Sequence, residues 1–157
     1  MRAVRGPMWN AAGMEAVSTL ALGVELQLVP TEDGGRGTAL KGGHAPGDRF
    51  TYRPNWGLPV WGAGEQTAGP VLGFSTEDIQ PGDAVRAVLV PTIPDHLPGW
   101  RKVEVGAVLR MYEGPRVCGL GTVVWIEPAT WPMPTREQEQ FTGWLKVETG
   151  PGTRRLS

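Results

Sequence analysis

The chain holds a single cysteine, Cys118, among 157 residues, which excludes an intrachain disulfide. Histidine is nearly as scarce. His44 and His96 stand in separate Gly/Pro-rich loops, with no second ligand at metal spacing, so neither a metal site nor histidine catalysis is expected. No apolar run approaches the length that a bilayer-spanning helix needs, and the first 13 residues lack the apolar block of a secretory signal. Charge of one sign is also missing: 15 basic and 16 acidic side chains leave a net charge of −1. Nothing global draws the chain to nucleic acid or to acidic membranes. Of the lysines Lys41, Lys102 and Lys146, none follows a glycine loop of phosphate-binding form. No pair of acids has a spacing that demands general acid–base work; Glu32-Asp33 and Glu77-Asp78 are turn acids. The expectation is a protein of reducing, cytoplasmic surroundings that is not an enzyme, carries no cofactor and binds no nucleotide.

What is abundant is glycine (23) and proline (15), set between alternating apolar runs. Many short strands joined by tight turns account for both. Leu20, Leu22, Val24, Leu26 and Leu28 share one face of a strand, with Glu25 and Gln27 on the other. Burying each of those apolar side chains contributes roughly 1.5–3 kcal/mol. Short strands follow at Arg49 to Arg53, Pro70 to Ser75 and Ala84 to Thr92, and Asn55 to Gly69 reads as a long ordered loop. The central stretch, Val103 to Ile126, reads as a hairpin whose loop is Tyr112-Glu113-Gly114-Pro115. Its second run is apolar on both faces, as in a strand covered on both sides. Beyond Glu127, Pro132 and Pro134 break strand structure, and Thr135 with Gln138 forms a capping box for a short helix to Val147. The pattern predicts an arm (1–19), an all-β domain (20–127) built as a six-stranded antiparallel closed barrel, and a Pro-rich tail (128–157) that holds the short helix.

Four pieces of this sequence resemble the C-terminal β-barrel domain of elongation factor Tu. They are the strand and acidic turn ending Gly34-Gly35-Arg36 with Thr38 close behind, the aromatic strand Phe50 to Arg53, the strand opening Pro81-Gly82-Asp83, and Glu113-Gly114-Pro115-Arg116 followed by Gly119, Gly121 and Val123. The resemblance covers about residues 24–126. It implies a six-stranded barrel without the GTPase domain, and a surface that grips the backbone of the tRNA T-stem. Arg36, Glu113 and Gly114 match that surface. Gly37 stands where the family has histidine, Gly47 where it has glutamine and Tyr112 where it has arginine. Each loss weakens a backbone grip, whose affinity follows the number of cations.

Two partner classes remain. A protein partner is favoured, through loop tryptophans Trp56, Trp61 and Trp100, since tryptophan concentrates at binding hot spots. The commoner role of such indoles is to plug loops and the tail onto a small core. RNA, tRNA included, is the alternative, through Arg36, Thr38, Glu113, Gly114 and Arg116, with Arg49, Arg53 and Arg110 widening the basic patch. Cys118, mid-strand, reads as an inert core thiol.

Overall fold

The computed structural model describes residues 8–9, 15–43 and 50–146. Ten strands and two helices appear there: β1 (Met8–Trp9), β2 (Glu15–Leu28), β3 (Leu40–Lys41), β4 (Asn55–Gly57), β5 (Thr67–Ala68), β6 (Val71–Phe74), β7 (Asp78–Ile79), β8 (Ala84–Leu89), α1 (Leu97–Trp100), β9 (Val108–Glu113), β10 (Arg116–Trp131) and α2 (Thr135–Lys146). The chain is mostly β and every pairing is antiparallel.

The two long strands carry the fold. β2 and β10 pair from Leu28↔Gly119 to Val17↔Trp131, and they occupy the middle of the sheet order β5-β4-β9-β10-β2-β8-β6, with β1 added on β2. β3 and β7 form a separate two-stranded sheet. The expected closed six-stranded barrel is therefore corrected: the main sheet is open, with seven strands along its path. Its end strands, β5 and β6, follow one another in the chain across Gly69-Pro70 with no ladder between them, and an isolated bridge, Tyr52↔Val71, joins β6 to the segment before β4.

The alternation read in β2 holds. Leu20, Leu22, Val24, Leu26 and Leu28 are buried in one core with Leu89, Leu109, Met111 and Val123. The reverse face carries a second core. Ala21, Leu72, Val88, Val90 and Ala129 lie there under Phe141 and Leu145 of α2. Trp125 stacks on Phe141 with centroids 5.5 Å apart and meets Trp144 edge-on at 5.3 Å. Gly23 makes room for this layer: a Cβ there would lie 2.2 Å from the Trp125 ring. Apolar residues on both faces of β10 thus have a cause, but only beyond Trp125. Nearer the hairpin the outward Leu120 is 44% exposed.

Several boundaries move. The hairpin turn is tighter than expected: Glu113 pairs with Arg116, leaving Gly114-Pro115 as a two-residue turn with Gly114 at φ 60°. The stretch taken as one loop from Asn55 to Gly69 contains β4 and β5, which pair with each other. β2 begins at Glu15, inside the expected arm, and β10 runs through Pro128 to Trp131, inside the expected tail. Pro128 is tolerated because its missing N–H costs nothing on the side of β10 turned away from β2. Helix α2 starts where predicted, yet Thr135 is its first helical residue. The acid of its first turn, Glu137, accepts the Thr130 N–H at 3.1 Å. Among the described residues no helix is long and apolar enough to cross a membrane.

Candidate macromolecule-binding surface

Residues 31–39 form a compact turn at one end of the sheet. Thr31–Asp33 is one 3-10 turn, ended by Gly34 at φ 98°. Gly35 follows, so close to Val29 that a Cβ would lie 1.9 Å from its carbonyl oxygen. Only glycine fits there, and the tight passage points the Arg36 side chain back at the domain. Its Nε donates to Thr38 O and its Nη2 to Ala39 O, both at 3.1 Å, and its Nη1 donates to the Glu113 carboxylate. The Tyr52 hydroxyl donates to the same carboxylate oxygen. Arg116 Nη1 donates to Gly35 O at 3.3 Å, and Gln66 Nε2 to Gly114 O at 2.9 Å. Arg36, Thr38, Glu113, Gly114 and Arg116, spread over 80 positions of sequence, are thereby brought together.

The electrostatics of this cluster face inward. The Arg36 side chain is 18% exposed and that of Glu113 30%, so the pair is neutralised at the surface. Burial, then the hydrogen bond to Glu113 and its charge, pushes the Tyr52 hydroxyl well above the usual phenol range. Burial, then the Glu113 charge, pushes the Cys118 thiol up to about 12, which keeps it protonated and inert. Of the other arginines of the basic patch, two are described, and each has its own local partner. Arg53 lies over the Phe50 ring, 5.2 Å from its centroid, and Arg110 donates to Trp61 O at 3.0 Å. Arg49, Gly47 and His44 fall outside the described residues. The Nδ1 of His96 is buried with no hydrogen-bond partner, and no group of three or more metal-ligating side chains occurs among the described residues.

The tryptophan surface needs correction. Trp56 and Trp100 are wholly buried, and their indole N–H groups donate to Gly69 O at 2.8 Å and Ala68 O at 3.1 Å. Both rings press on Gly69, where a Cβ would lie 2.6 Å from one and 2.7 Å from the other. They plug the core and offer nothing to a partner. Trp61 alone stays half-buried.

Around Trp61 lies a feature the sequence reading missed. Residues 58–66 form a loop tied at almost every turn. Trp61 N–H donates to Leu58 O at 3.0 Å, Gly62 N–H to the Glu65 carboxylate at 2.8 Å, and Gly64 N–H to the Tyr112 hydroxyl at 3.0 Å. That last bond, followed by the Arg110 side chain, lowers the pKa of the Tyr112 phenol. Val60 sits on this loop 92% exposed, the most exposed large apolar side chain of the described chain. Its signal was present in Leu58-Pro59-Val60-Trp61, an apolar run in a loop with no strand to bury it.

Known protein-family models give no match to this chain, and neither do curated proteins.

Proposed function

We propose that the chain is a non-catalytic protein-binding module, similar in plan to the C-terminal domain of elongation factor Tu, that meets its partner through the loop 58–66. The observation that carries this reading is Val60. A fully exposed valine costs nothing in the free protein, but its burial in a complex is favourable, and the loop that holds it is already ordered by Arg110, Tyr112 and Glu65. Pre-ordering removes part of the entropy cost of association. The likeness to the translation factor is supported by the meeting of its two motif turns, Gly-Gly-Arg and Glu-Gly, through Arg36 and Glu113. RNA is the weaker reading, because that same pairing removes the cation a phosphate would need.

The test is quantitative capture from the native lysate with wild type, Val60→Asp and, as a control on the α2 side of the sheet, Gln27→Ala. A partner retained by wild type and the control but lost with Val60→Asp supports the assignment. Equal retention by all three, or capture of RNA that Arg36→Ala abolishes, overturns it.

A further inference from the structure

Strands β2 and β10 outrun the rest of the sheet. From Ala21↔Glu127 to Val17↔Trp131 they pair with each other and with no third strand. The register tells the two faces of this ribbon apart. Leu20 stands opposite Pro128 and Leu22 opposite Ile126, and both leucines lie in the main core. Ala21 stands opposite Glu127 and belongs to the second core, under α2. Side chains alternate along a strand and opposite residues share a face. Ser18, Leu20, Ile126 and Pro128 therefore share the face of the main core, and Thr19 and Glu127 the other.

The chain that leaves α1 crosses the first of these faces. Arg101 Nη2 donates to Ser18 O of β2 at 3.1 Å, and Gly106 N–H donates to Val123 O of β10 at 2.8 Å. Between those two anchors Val103 enters the main core, where it is buried with Leu20. Ribbon and crossing chain leave between them an open cleft of about 320 Å³. Ser18, Leu20, Ile126 and Pro128 form its floor, and Arg101 and Val103 its roof. Thr19 and Glu127 border it through their backbone, and the Thr19 hydroxyl donates to Pro91 O on the far side.

The side chains that line the cleft are apolar apart from Ser18 and Arg101. Arg101 forms no ion pair among the described residues. The carboxylate of Glu127, the one acid at the cleft, leaves on the opposite face of the ribbon and does not answer it. The bond to Ser18 O spends one of the two N–H groups on Nη2, so one two-donor edge of the guanidinium remains. The cleft thus joins an apolar floor to an unpaired, planar cation.

We propose that this cleft binds a small organic acid, with its carboxylate on Arg101 and a short apolar body on Leu20, Val103 and Ile126. A guanidinium edge holds a carboxylate through two parallel N–H···O bonds. Burial of the body adds free energy in proportion to its apolar area. The cleft lies at the small end of the range for ligand pockets, so it takes one side-chain-sized body and not a length of chain. It shares no residue with the loop 58–66, and the proposal does not rest on the partner assigned to that loop.

The probe is isocaproate, titrated to millimolar concentration at neutral pH into the isotope-labelled full chain and followed by amide and methyl NMR. The expected result is saturable shifts at Ser18, Leu20, Arg101, Val103 and Ile126. Binding is several-fold weaker for isocaproamide, which keeps the body and loses the charge, and for acetate, which keeps the charge and loses the body. Arg101→Gln removes the preference for acid over amide and leaves the rest of the spectrum in place. The comparison of ligands leaves the protein untouched, so it holds even where the variant is unstable. No saturable shift at these residues, equal binding of the amide or of acetate, a preference retained in Arg101→Gln, or shifts centred on Val60 to Glu65 overturns the proposal. So does tighter binding of acetyl-Ala-Ala-Leu, which would make the ligand the end of a chain.

Discussion

Glu113 is the residue on which the candidate surface turns. Its carboxylate accepts from Arg36 and Tyr52 at once, tying the turn 31–39 to the β9–β10 hairpin. Removing it strands a partly buried guanidinium and a partly buried phenol. Glu113→Ala should therefore lower stability by about 1–3 kcal/mol, read from denaturant midpoints at constant slope. Tyr52→Phe should cost less, since it removes the donor and leaves the ion pair. The same cluster sets a pH response. The folded pKa values of Tyr52 and Cys118 are both raised, so the unfolded chain loses those protons first. Their contribution is complete below the unfolded values, 9.0 for the thiol and 10.0 for the phenol, and declines as pH rises beyond them. Tyr112, with its pKa lowered, acts in the opposite direction. Urea unfolding from pH 8 to 11 should show falling stability, with a shallower fall in Cys118→Ala; an unchanged slope in that variant would exclude the thiol as a source. The juxtaposition of Arg36 and Glu113 was legible as two motif turns in one family-like pattern. Their mutual neutralisation was not, because it depends on the direction Gly35 imposes on Arg36, and no spacing encodes that.

Among the elements, α2 best separates what sequence reveals from what it withholds. Its start and its apolar residues Phe141, Trp144 and Leu145 could be read from the chain; its docking site could not. That site is assembled from Ala21, Leu72, Val88 and Ala129, four positions on four strands. The long strands were legible because alternation over many residues leaves one face to bury. β4 and β5, of three and two residues, were not, since no period shows in so short a run. Trp56 and Trp100 misled for a related reason. An indole in a Gly-rich loop reads alike buried or exposed, and here the carbonyls of Gly69 and Ala68 decide it. The helix also yields a prediction. Phe141 is buried and stacked on Trp125, so Phe141→Ala should cost about 3–5 kcal/mol. Hydrogen exchange should then accelerate across α2 while the amides of Val24 and Leu26 change little. Uniform acceleration across both would mean that helix and sheet open as one unit.

For the whole molecule, the order of strands matters more than their number. β2 enters near the start of the chain and β10 near its end, yet they are neighbours at the centre of the sheet, with β9, β4 and β5 on one side and β8 and β6 on the other. β10 is the only described strand joining those halves, because β9 pairs with β10 and not with β2. Away from the ladders the halves share one core, the chain passes from β5 to β6 across Gly69-Pro70, and Tyr52 bridges to Val71. The core shared by Leu109 and Met111 from one half and Leu22 and Leu89 from the other is complete only with β10 in place. Closing a loop of some hundred residues before its contacts reward it makes such a topology slow to fold compared with a simple meander. A fragment ending at Gly114 retains most of the described strands but lacks the central one. It should show no cooperative thermal transition by circular dichroism, and adding the separate segment 115–146 should restore one in a concentration-dependent manner. A fragment that melts cooperatively on its own would mean that β2 and β9 can pair directly, and that the sheet order described here is one of two the chain can adopt.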